Sequence, residues 1–216
     1  SGELVLHADL MQLAPWHLND MIVDAKGRAY VGNFGWDLMA GAAPRSTVLI
    51  RVDPDGSASV AADGLMFPNG TGITPDGRTM IISESFAGHL TAFDIADDGS
   101  LSRRRVWARI GDAPGDLHGE VPDSVGIPDG LCLDAEGAVW VADAVRHCVI
   151  RVAEGGQQLE RISTGAMGVY ACMLGGHDGR TLYLCAAPSF AEHERAHTRE
   201  AKLLSVRVKV PHAGLP

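Results

Sequence analysis

The stretch that decides the fold is residues 128–143, which read PDGLCLDAEGAVWVAD. In its first half Leu131 and Leu133 alternate with a smaller residue, as in a half-buried strand. The segment Asp134–Gly137 is polar and ends in glycine, the residue that most readily adopts a positive φ in a turn. The segment Val139–Val141 is β-branched and aromatic, which favours a strand. The stretch therefore predicts two strands joined by a tight turn, with Asp129 just before the first of them.

The same strand–turn–strand pattern occurs three more times along the chain. These copies begin near Asn19, Asn69 and Tyr170, the last being the loosest. The spacing of about 40–60 residues is typical of propeller blades. Three of the four copies open with an amide or a carboxylate: Asn19, Asn69 and Asp129. Because a repeat places equivalent side chains around a common axis, we expect these three groups to share one site.

Shorter segments with the composition of strands complete each repeat. We predict further strands at Glu3–Leu10, Thr47–Asp53, Ser57–Ala62, His89–Ile95, Arg104–Arg109, Cys148–Val152, Leu159–Ser163 and Leu203–Val210. Residues 111–126 are rich in glycine, proline and aspartate and are predicted as a loop that leads to Asp129. Residues 190–204 are expected to hold at most one short turn or helix. Many short strands separated by turn signals predict an all-β repeat fold of the propeller type.

The repeats predict about four blades in a single domain over residues 1–216. Four blades are enough to close a propeller. The strand expected at Glu3–Leu10, however, has no earlier strand to pair with, so it resembles the end of a preceding blade. We therefore expect a larger propeller whose N-terminal blades are absent from this chain.

Composition excludes several classes of partner. The 216 residues carry a formal net charge of −9, and the longest basic run is Arg103–Arg105, which is expected to be a solvated strand face. This balance argues against nucleic acids and against anionic membranes. No segment is long and apolar enough to span a bilayer. The four cysteines form no C-x-x-C pair, and Cys132 and Cys172 occupy matching strand positions, which predicts core packing in a reducing, cytoplasmic compartment.

Several motifs, in this order and spacing, resemble those of a known family. They are Leu18–Asp20, Val23–Arg28, Pro68–Gly70, Ile127–Gly130, Leu133–Ala142 and Cys172–Gly176. Together they make the chain similar, from about Glu3 to its end, to the SMP-30/gluconolactonase family, also called regucalcin-like. The resemblance implies a six-bladed β-propeller that hydrolyses sugar lactones.

The resemblance also implies one divalent metal ion on the propeller axis. Two of the metal ligands of the family match Asn69 and Asp129. The third, a glutamate, belongs to a segment upstream of this chain, so no residue here is assigned to it. Oxygen ligands suit hard cations such as Ca²⁺, Mg²⁺ or Mn²⁺, and the sequence does not resolve these from Zn²⁺. In this scheme Asp129 is also the catalytic residue, which orients or deprotonates the attacking water.

Three further residues are expected to bind substrate. Asn19 matches the substrate-contacting asparagine of the family, and Asp37 falls near an acid that contacts sugar hydroxyls. His17 stands where many relatives carry arginine, and we expect it to contact the sugar ring or the developing oxyanion. The alternative for Asn19, Asn69 and Asp129 is that they cap the turns before their strands. The alternative for His17 and Asp37 is an ordinary loop contact.

Two acidic residues and one histidine motif are further candidates for a functional site. Glu84 and Asp143 each end the second strand of a repeat, and either side chain could face the channel or the surface. The segment His193–His197 fits the H-E-x-x-H pattern of zinc proteases. That chemistry needs a helix that holds both histidines on one face and a third ligand, so solvated histidines are the better interpretation.

The sequence thus predicts a metal-dependent hydrolase that opens the ester of a sugar lactone. The alternative is a non-catalytic propeller that binds a metal or ligand, or acts as a scaffold. Because an incomplete propeller exposes unpaired strand edges, we also expect either oligomerisation or a missing N-terminal segment.

Overall fold

The computed structural model of the chain describes residues 2–14, 16–115 and 121–214. In these residues the strands form four antiparallel sheets, each of which runs in chain order from one edge to the other. The first sheet contains β1 (Leu18–Val23), β2 (Ala29–Asn33), β3 (Thr47–Val52) and β4 (Ala58–Leu65). The second contains β5 (Pro68–Ile73), β6 (Thr79–Glu84), β7 (His89–Ile95) and β8 (Leu101–Arg109). The third contains β9 (Pro128–Leu133), β10 (Val139–Asp143), β11 (Cys148–Val152) and β12 (Gln158–Ser163).

The fourth sheet has three strands, β13 (Gly168–Gly175), β14 (Thr181–Ala187) and β15 (Lys202–Arg207). A single helical turn, α1 (Glu192–Arg195), lies in the connection between β14 and β15. The first strands of the four sheets, β1, β5, β9 and β13, lie side by side in that order. The sheets are therefore consecutive blades around one axis, and the predicted all-β propeller of about four blades is confirmed.

The hairpins at the inner edge of the blades repeat one turn chemistry. The Asp134 carboxylate accepts hydrogen bonds from the backbone N–H groups of Glu136 (2.9 Å) and Ala138 (3.1 Å). Gly137 follows with a φ of 78°, a conformation that side chains disfavour. The same carboxylate pairs with the buried guanidinium of Arg151 at 2.6 Å. The tight turn that the sequence predicted between β9 and β10 is thus present, and the structure adds that the Asp134 side chain holds it.

The core lies between neighbouring blades. Along β10, successive side chains point to opposite faces of the sheet. Val139 and Val141 pack toward the second blade with Leu90, whereas the fully buried Trp140 packs toward the fourth blade with Leu182. The third blade is consequently buried on both faces of β10, and these contacts fix it between its two neighbours.

The prediction of a strand at Glu3–Leu10 is wrong. The segment forms no strand, and the side chains of Leu4, Val5 and Leu6 are exposed. Leu10 alone is buried, against Val31 and Ile50 of the first blade. Strand propensity is realised only where a neighbouring strand supplies hydrogen bonds, and no described strand pairs with this segment.

The other strand predictions differ from the structure mainly at their ends. β8 begins at Leu101 rather than Arg104, and the final strand ends at Arg207 rather than Val210. In the predicted loop over 111–126, the described residues form no strand beyond one bridge between Asp112 and Val125. The part of that loop at 116–120 lies outside the described residues.

The cysteines and the helical content agree with the sequence analysis. All four cysteines are free thiols; Cys132, Cys148 and Cys172 are buried and Cys185 is exposed. Core packing of Cys132 and Cys172 is therefore confirmed. Across the described ranges, no helix has the length and apolar character needed to cross a membrane.

Candidate active site

The inner strand of every blade has a register irregularity near its start. The interrupted intervals are 18–21 in β1, 68–71 in β5, 128–131 in β9 and 169–171 in β13. A bulge re-aims side chains that a regular strand would send to alternate faces. The residues inside these intervals include Asn19, Asp20, Asn69, Asp129 and Tyr170. The repeated sequence positions thus coincide with a register irregularity that recurs at the start of each inner strand.

These five residues line one pocket of about 340 Å³ at the end of the inner strands. Three of them, Asn19, Asn69 and Asp129, are among the predicted site residues, and the structure brings them together. The remainder of the described lining is largely apolar. It comprises Phe34, Leu38, Met39, Phe67, Ser85, Phe86, Ile127, Ala144, Ala171 and Phe190.

Asn69 is the most constrained polar residue in this pocket. Its Nδ2 donates to Ser85 Oγ at 3.1 Å, and the Ser85 hydroxyl donates to the Pro128 carbonyl at 2.7 Å. The side chain is buried, and its Oδ1 has no hydrogen-bond partner among the described residues. An unsatisfied buried acceptor is unfavourable unless a ligand completes it. The Ser85 contact therefore fixes the amide so that its oxygen is left for a ligand.

Asp129 lies beside Asn69, and few favourable interactions offset the negative charge of its carboxylate. Burial, and next the negative charge of Asp20, raise the pKa of Asp129 from 3.8 to about 8. Hydrogen bonds from the Gly130 backbone and the Asn69 side chain lower it only in part, and Asp143 adds further repulsion. A carboxylate in this environment is stabilised by a proton or by a cation.

Two neighbouring acidic groups, Asp20 and Tyr170, also have raised pKa values. Burial raises the pKa of Asp20, although the residue remains open to solvent on one side. Burial, and next the charge of Asp129, raise the pKa of Tyr170 to about 12. The pocket thus disfavours negative charge on three acidic groups at once, which is the electrostatic condition that a bound cation would relieve.

Close approach of the inner strands sets the spacing of these groups. A Cβ added to Gly70 would lie 2.5 Å from the Asp129 carbonyl oxygen and 2.5 Å from the Gly130 Cα. No side chain fits there without a shift of the backbone of β9. The glycine that follows Asn69 is therefore required to bring Asn69 and Asp129 into one pocket.

Of the three residues predicted to bind substrate, Asn19 lines the pocket, whereas His17 and Asp37 do not. Asn19 donates through Nδ2 to the Pro68 carbonyl at 3.3 Å and lines the pocket. His17 is exposed and does not line the pocket; its ring contacts the edge of Phe34, with 5.6 Å between centroids. Asp37 also lies outside the lining, and its carboxylate accepts from the Ala40 N–H at 3.0 Å. The substrate-binding roles of these three residues stay predictions.

Glu84 and Asp143 are buried, so the surface alternative is wrong for both. Burial raises the pKa of Glu84, but hydrogen bonds from His89, Thr91 and the Met66 backbone, together with the Arg104 charge, lower it to about 2. The Arg104 guanidinium lies 2.9 Å from the Glu84 carboxylate. Both acids hold the fold together through internal ion pairs.

Asp143 forms its ion pair with Arg146, whose Nη2 lies 2.7 Å from the carboxylate.

The His193–His197 motif falls on and just after α1, which has no buried residues. Within the described ranges no three histidine, cysteine, aspartate or glutamate side chains form a metal-binding group. The zinc-protease alternative therefore has no support here.

The pocket residues fit part of a hard-cation site. Asn69 offers a buried oxygen without a partner, and Asp129 offers a carboxylate whose charge lacks compensation. Both are oxygen donors of the kind that Ca²⁺, Mg²⁺ and Mn²⁺ prefer. In the part of the chain that the structure describes, the fit rests on these two residues.

Sequence reasoning missed several residues of the pocket. Asp20 and Tyr170 stand inside recognised repeats, so their positions relative to Asn19 and Asp129 were a usable signal. Phe34 and Ser85 each directly follow the second strand of a blade, and Phe67 directly precedes the first strand of one, so their repeated positions were also a usable signal. Phe190 lies in the connection between β14 and β15, outside the repeat, and nothing in the sequence indicated its place in the pocket.

Comparisons with known proteins agree with the fold. The family model described as the SMP-30/gluconolactonase/LRE-like region matches residues 1–188. A pentonolactonase from Haloferax volcanii is 28% identical over 175 residues, covering 81% of this chain and 54% of that protein. Regucalcin from Danio rerio is 30% identical over 171 residues, covering 78% of this chain and 54% of the relative.

A solved structure shows the same architecture. The crystal structure of regucalcin from Agrobacterium tumefaciens, described as a calcium-binding protein, superposes with a TM-score of 0.73 at 19% identity. The superposition covers 98% of this chain and 68% of the other. The chain spans about half the length of the curated relatives named above. Since the family model covers most of its length, the chain belongs to the SMP-30/gluconolactonase/LRE-like family.

Proposed function

We propose that the protein hydrolyses the ester of a lactone with the help of a divalent cation held by Asn69 and Asp129. The observation that carries this proposal is the buried, unpartnered Oδ1 of Asn69 beside a carboxyl whose pKa is raised to about 8. The family name and the pentonolactonase relative support a lactone of a sugar acid as the substrate class.

In this proposal Asn69 and Asp129 have different roles. Asn69 holds its oxygen toward the pocket because Ser85 occupies its Nδ2. A bound cation would polarise the ester carbonyl and lower the pKa of water in the pocket. The carboxylate of Asp129 would orient the attacking water and accept its proton. Beside a cation Asp129 would be ionised at neutral pH, because the positive charge would oppose the effect of burial and of Asp20.

The proposal also assigns substrate contacts. Asn19 lines the pocket and is proposed to hydrogen-bond a substrate oxygen. His17 and Asp37 do not line the pocket, and their contact with substrate hydroxyls is proposed from the resemblance to the family.

The test is a lactone panel assayed with Ca²⁺, Mg²⁺, Mn²⁺ or Zn²⁺ and after chelation. We expect turnover of at least one lactone to require a cation. Asp129→Asn should lower kcat/KM by at least about 100-fold, the scale of a lost acid–base group. Asp178→Asn is the matched control, since Asp178 is exposed and pairs only with surface arginines.

Retained activity in Asp129→Asn would overturn the assignment. A chain that binds the cation but turns over no lactone would instead support the alternative of a non-catalytic, ligand-binding propeller.

A further inference from the structure

A second, larger concavity opens beside the candidate active site. It has a volume of about 860 Å³ and lies between the segment 36–44, which connects β2 to β3, and the segment 190–197, which contains α1. Leu38, Met39 and Phe86 line both it and the active-site pocket, as does Phe190. The two therefore form one continuous surface, and we call the part outside the active-site pocket the apolar groove.

The floor where the two concavities meet is a packed set of aromatic rings. The Trp36 and Phe86 rings lie 4.8 Å apart between centroids, in a perpendicular arrangement. Phe67 contacts both, at 5.3 Å from each. Edge-to-face contacts of this kind hold aromatic side chains in fixed positions. The surface offered to a ligand is therefore a preformed apolar wall.

Phe67 has an unusual backbone. Its φ is 60°, in the left-handed region where a bulky side chain is rare. Glycine or asparagine would adopt this conformation more readily. Strained positions of this kind concentrate at functional sites. An aromatic residue held at this position, directly against the pocket that contains Asn69, points to a role for the ring itself.

Two large apolar side chains stand open at the junction of the two concavities. Met39 is 48% exposed and Phe190 is 43% exposed. They come from the two segments that face each other across the groove, and each lines both concavities. An apolar ligand lying across the junction would cover both of them, which is favourable in proportion to the area removed from water.

Polar groups are distributed unevenly along this surface. In the active-site pocket they are Asn19, Asp20, Asn69, Ser85, Asp129 and Tyr170. In the described part of the groove they are Glu192, His193 and His197, which belong to the far side near α1. Between these ends the described lining offers one polar group, the buried indole N–H of Trp36. A substituent that carried several hydroxyls and lay between these ends would leave them unpaired against this wall.

We propose that the apolar groove binds an alkyl or aryl substituent of the substrate, so that the preferred lactone carries an apolar chain beside its ester. This inference rests on the proposed lactonase function and specifies its substrate class. The ester would lie at Asn69 and Asp129, and the substituent would lie across Met39 and Phe190 toward Trp36. Burial of this chain would then add to the specificity that hydrogen bonds in the active-site pocket provide.

The test compares δ-valerolactone, δ-octalactone, δ-decalactone and glucono-δ-lactone with the full chain in the presence of the activating cation. We expect kcat/KM to rise about fourfold for each methylene group that enters the groove, until the groove is filled. Phe190→Ser and Met39→Ser should flatten this dependence on chain length. Leu203→Ser is the matched control, because Leu203 is 70% exposed on β15 and lines neither concavity.

Binding is measured in parallel with the lactams of the same rings and chains, which resist ester hydrolysis. Calorimetry should show tighter binding of the pentyl-substituted lactam than of the unsubstituted one, and this gain should be lost in Phe190→Ser. If no lactone is hydrolysed, the proposed function fails, and the lactam series still decides this inference. Equal binding or turnover across the alkyl series, or an unchanged series in both variants, would overturn it.

Discussion

Asp129→Asn should stabilise the cation-free protein, although it removes the proposed catalytic group. The pKa of Asp129 rises from 3.8 to about 8 on folding. Between these values the folded state binds more protons than the unfolded state, so stability falls as the pH rises through this interval. Asparagine keeps the size of the side chain and carries no charge, so the penalty disappears in the variant.

The magnitude follows from the pKa. The gap between 3.8 and about 8 corresponds to at most about 6 kcal/mol at 1.36 kcal/mol per pH unit. Asp129 retains contact with solvent, which screens its charge and reduces the expected effect to about 2–3 kcal/mol. The difference between the two proteins should therefore be small at pH 4 and should reach this value near pH 8.

The assay is urea unfolding of both proteins at several pH values in chelator, followed by the same series with the cation. A cation at 100 times its Kd should stabilise the wild type by about 2.7 kcal/mol and leave Asp129→Asn unchanged. Asp63→Asn, at an exposed position on β4 outside the pocket, should behave as the wild type does. If Asp129→Asn is no more stable than the wild type at pH 8 in chelator, the electrostatic argument for the site is wrong.

Three further perturbations follow from the same contacts. Asp20→Asn removes the charge that, after burial, raises the pKa of Asp129 most, so the pH dependence of wild-type unfolding should shift to lower pH; an unshifted profile would show that Asp20 acts on another group. Gly70→Ala should cost at least about 2 kcal/mol in urea unfolding, because the new Cβ meets the backbone of β9, whereas Gly115→Ala, whose new Cβ meets no described residue within 4 Å, should be nearly neutral. Glu84, whose pKa falls to about 2, should contribute stability above pH 4.5 that is lost as the pH falls toward 2, so Glu84→Gln should unfold more easily at pH 7 and lose much of this acid dependence.

The sequence predicted the blades well because each blade is a local pattern. The turn at Asp134–Gly137 and the apolar strands around it are encoded within 16 residues, and their repetition predicted the sheets and the convergence of Asn19, Asn69 and Asp129. The same local reasoning failed at Glu3–Leu10. That segment has the composition of a strand, but pairing is a tertiary property and no described strand meets it.

The missed parts of the site depend on backbone details that composition does not carry. In a regular strand, Asn19 and Asp20 would point to opposite faces, so only one of them would be expected in the pocket. The irregular register between Leu18 and Met21 allows both to line it. Phe67 and Phe190 reach the pocket from two connections separated by more than 100 residues, and no spacing rule joins them.

The central claim is that Asn69 and Asp129 bind a cation in place of the proton that Asp129 carries when the pocket is empty. Its most direct measurement is calorimetric titration of the divalent cation at pH 7 in buffers of different ionisation enthalpy. Since the pKa of Asp129 is about 8, close to one proton should be released per cation bound by the wild type. Asn69→Ala should weaken the binding, and Asp129→Asn should abolish the proton release. Binding without proton release, or equal binding by the wild type and Asp129→Asn, would contradict the claim.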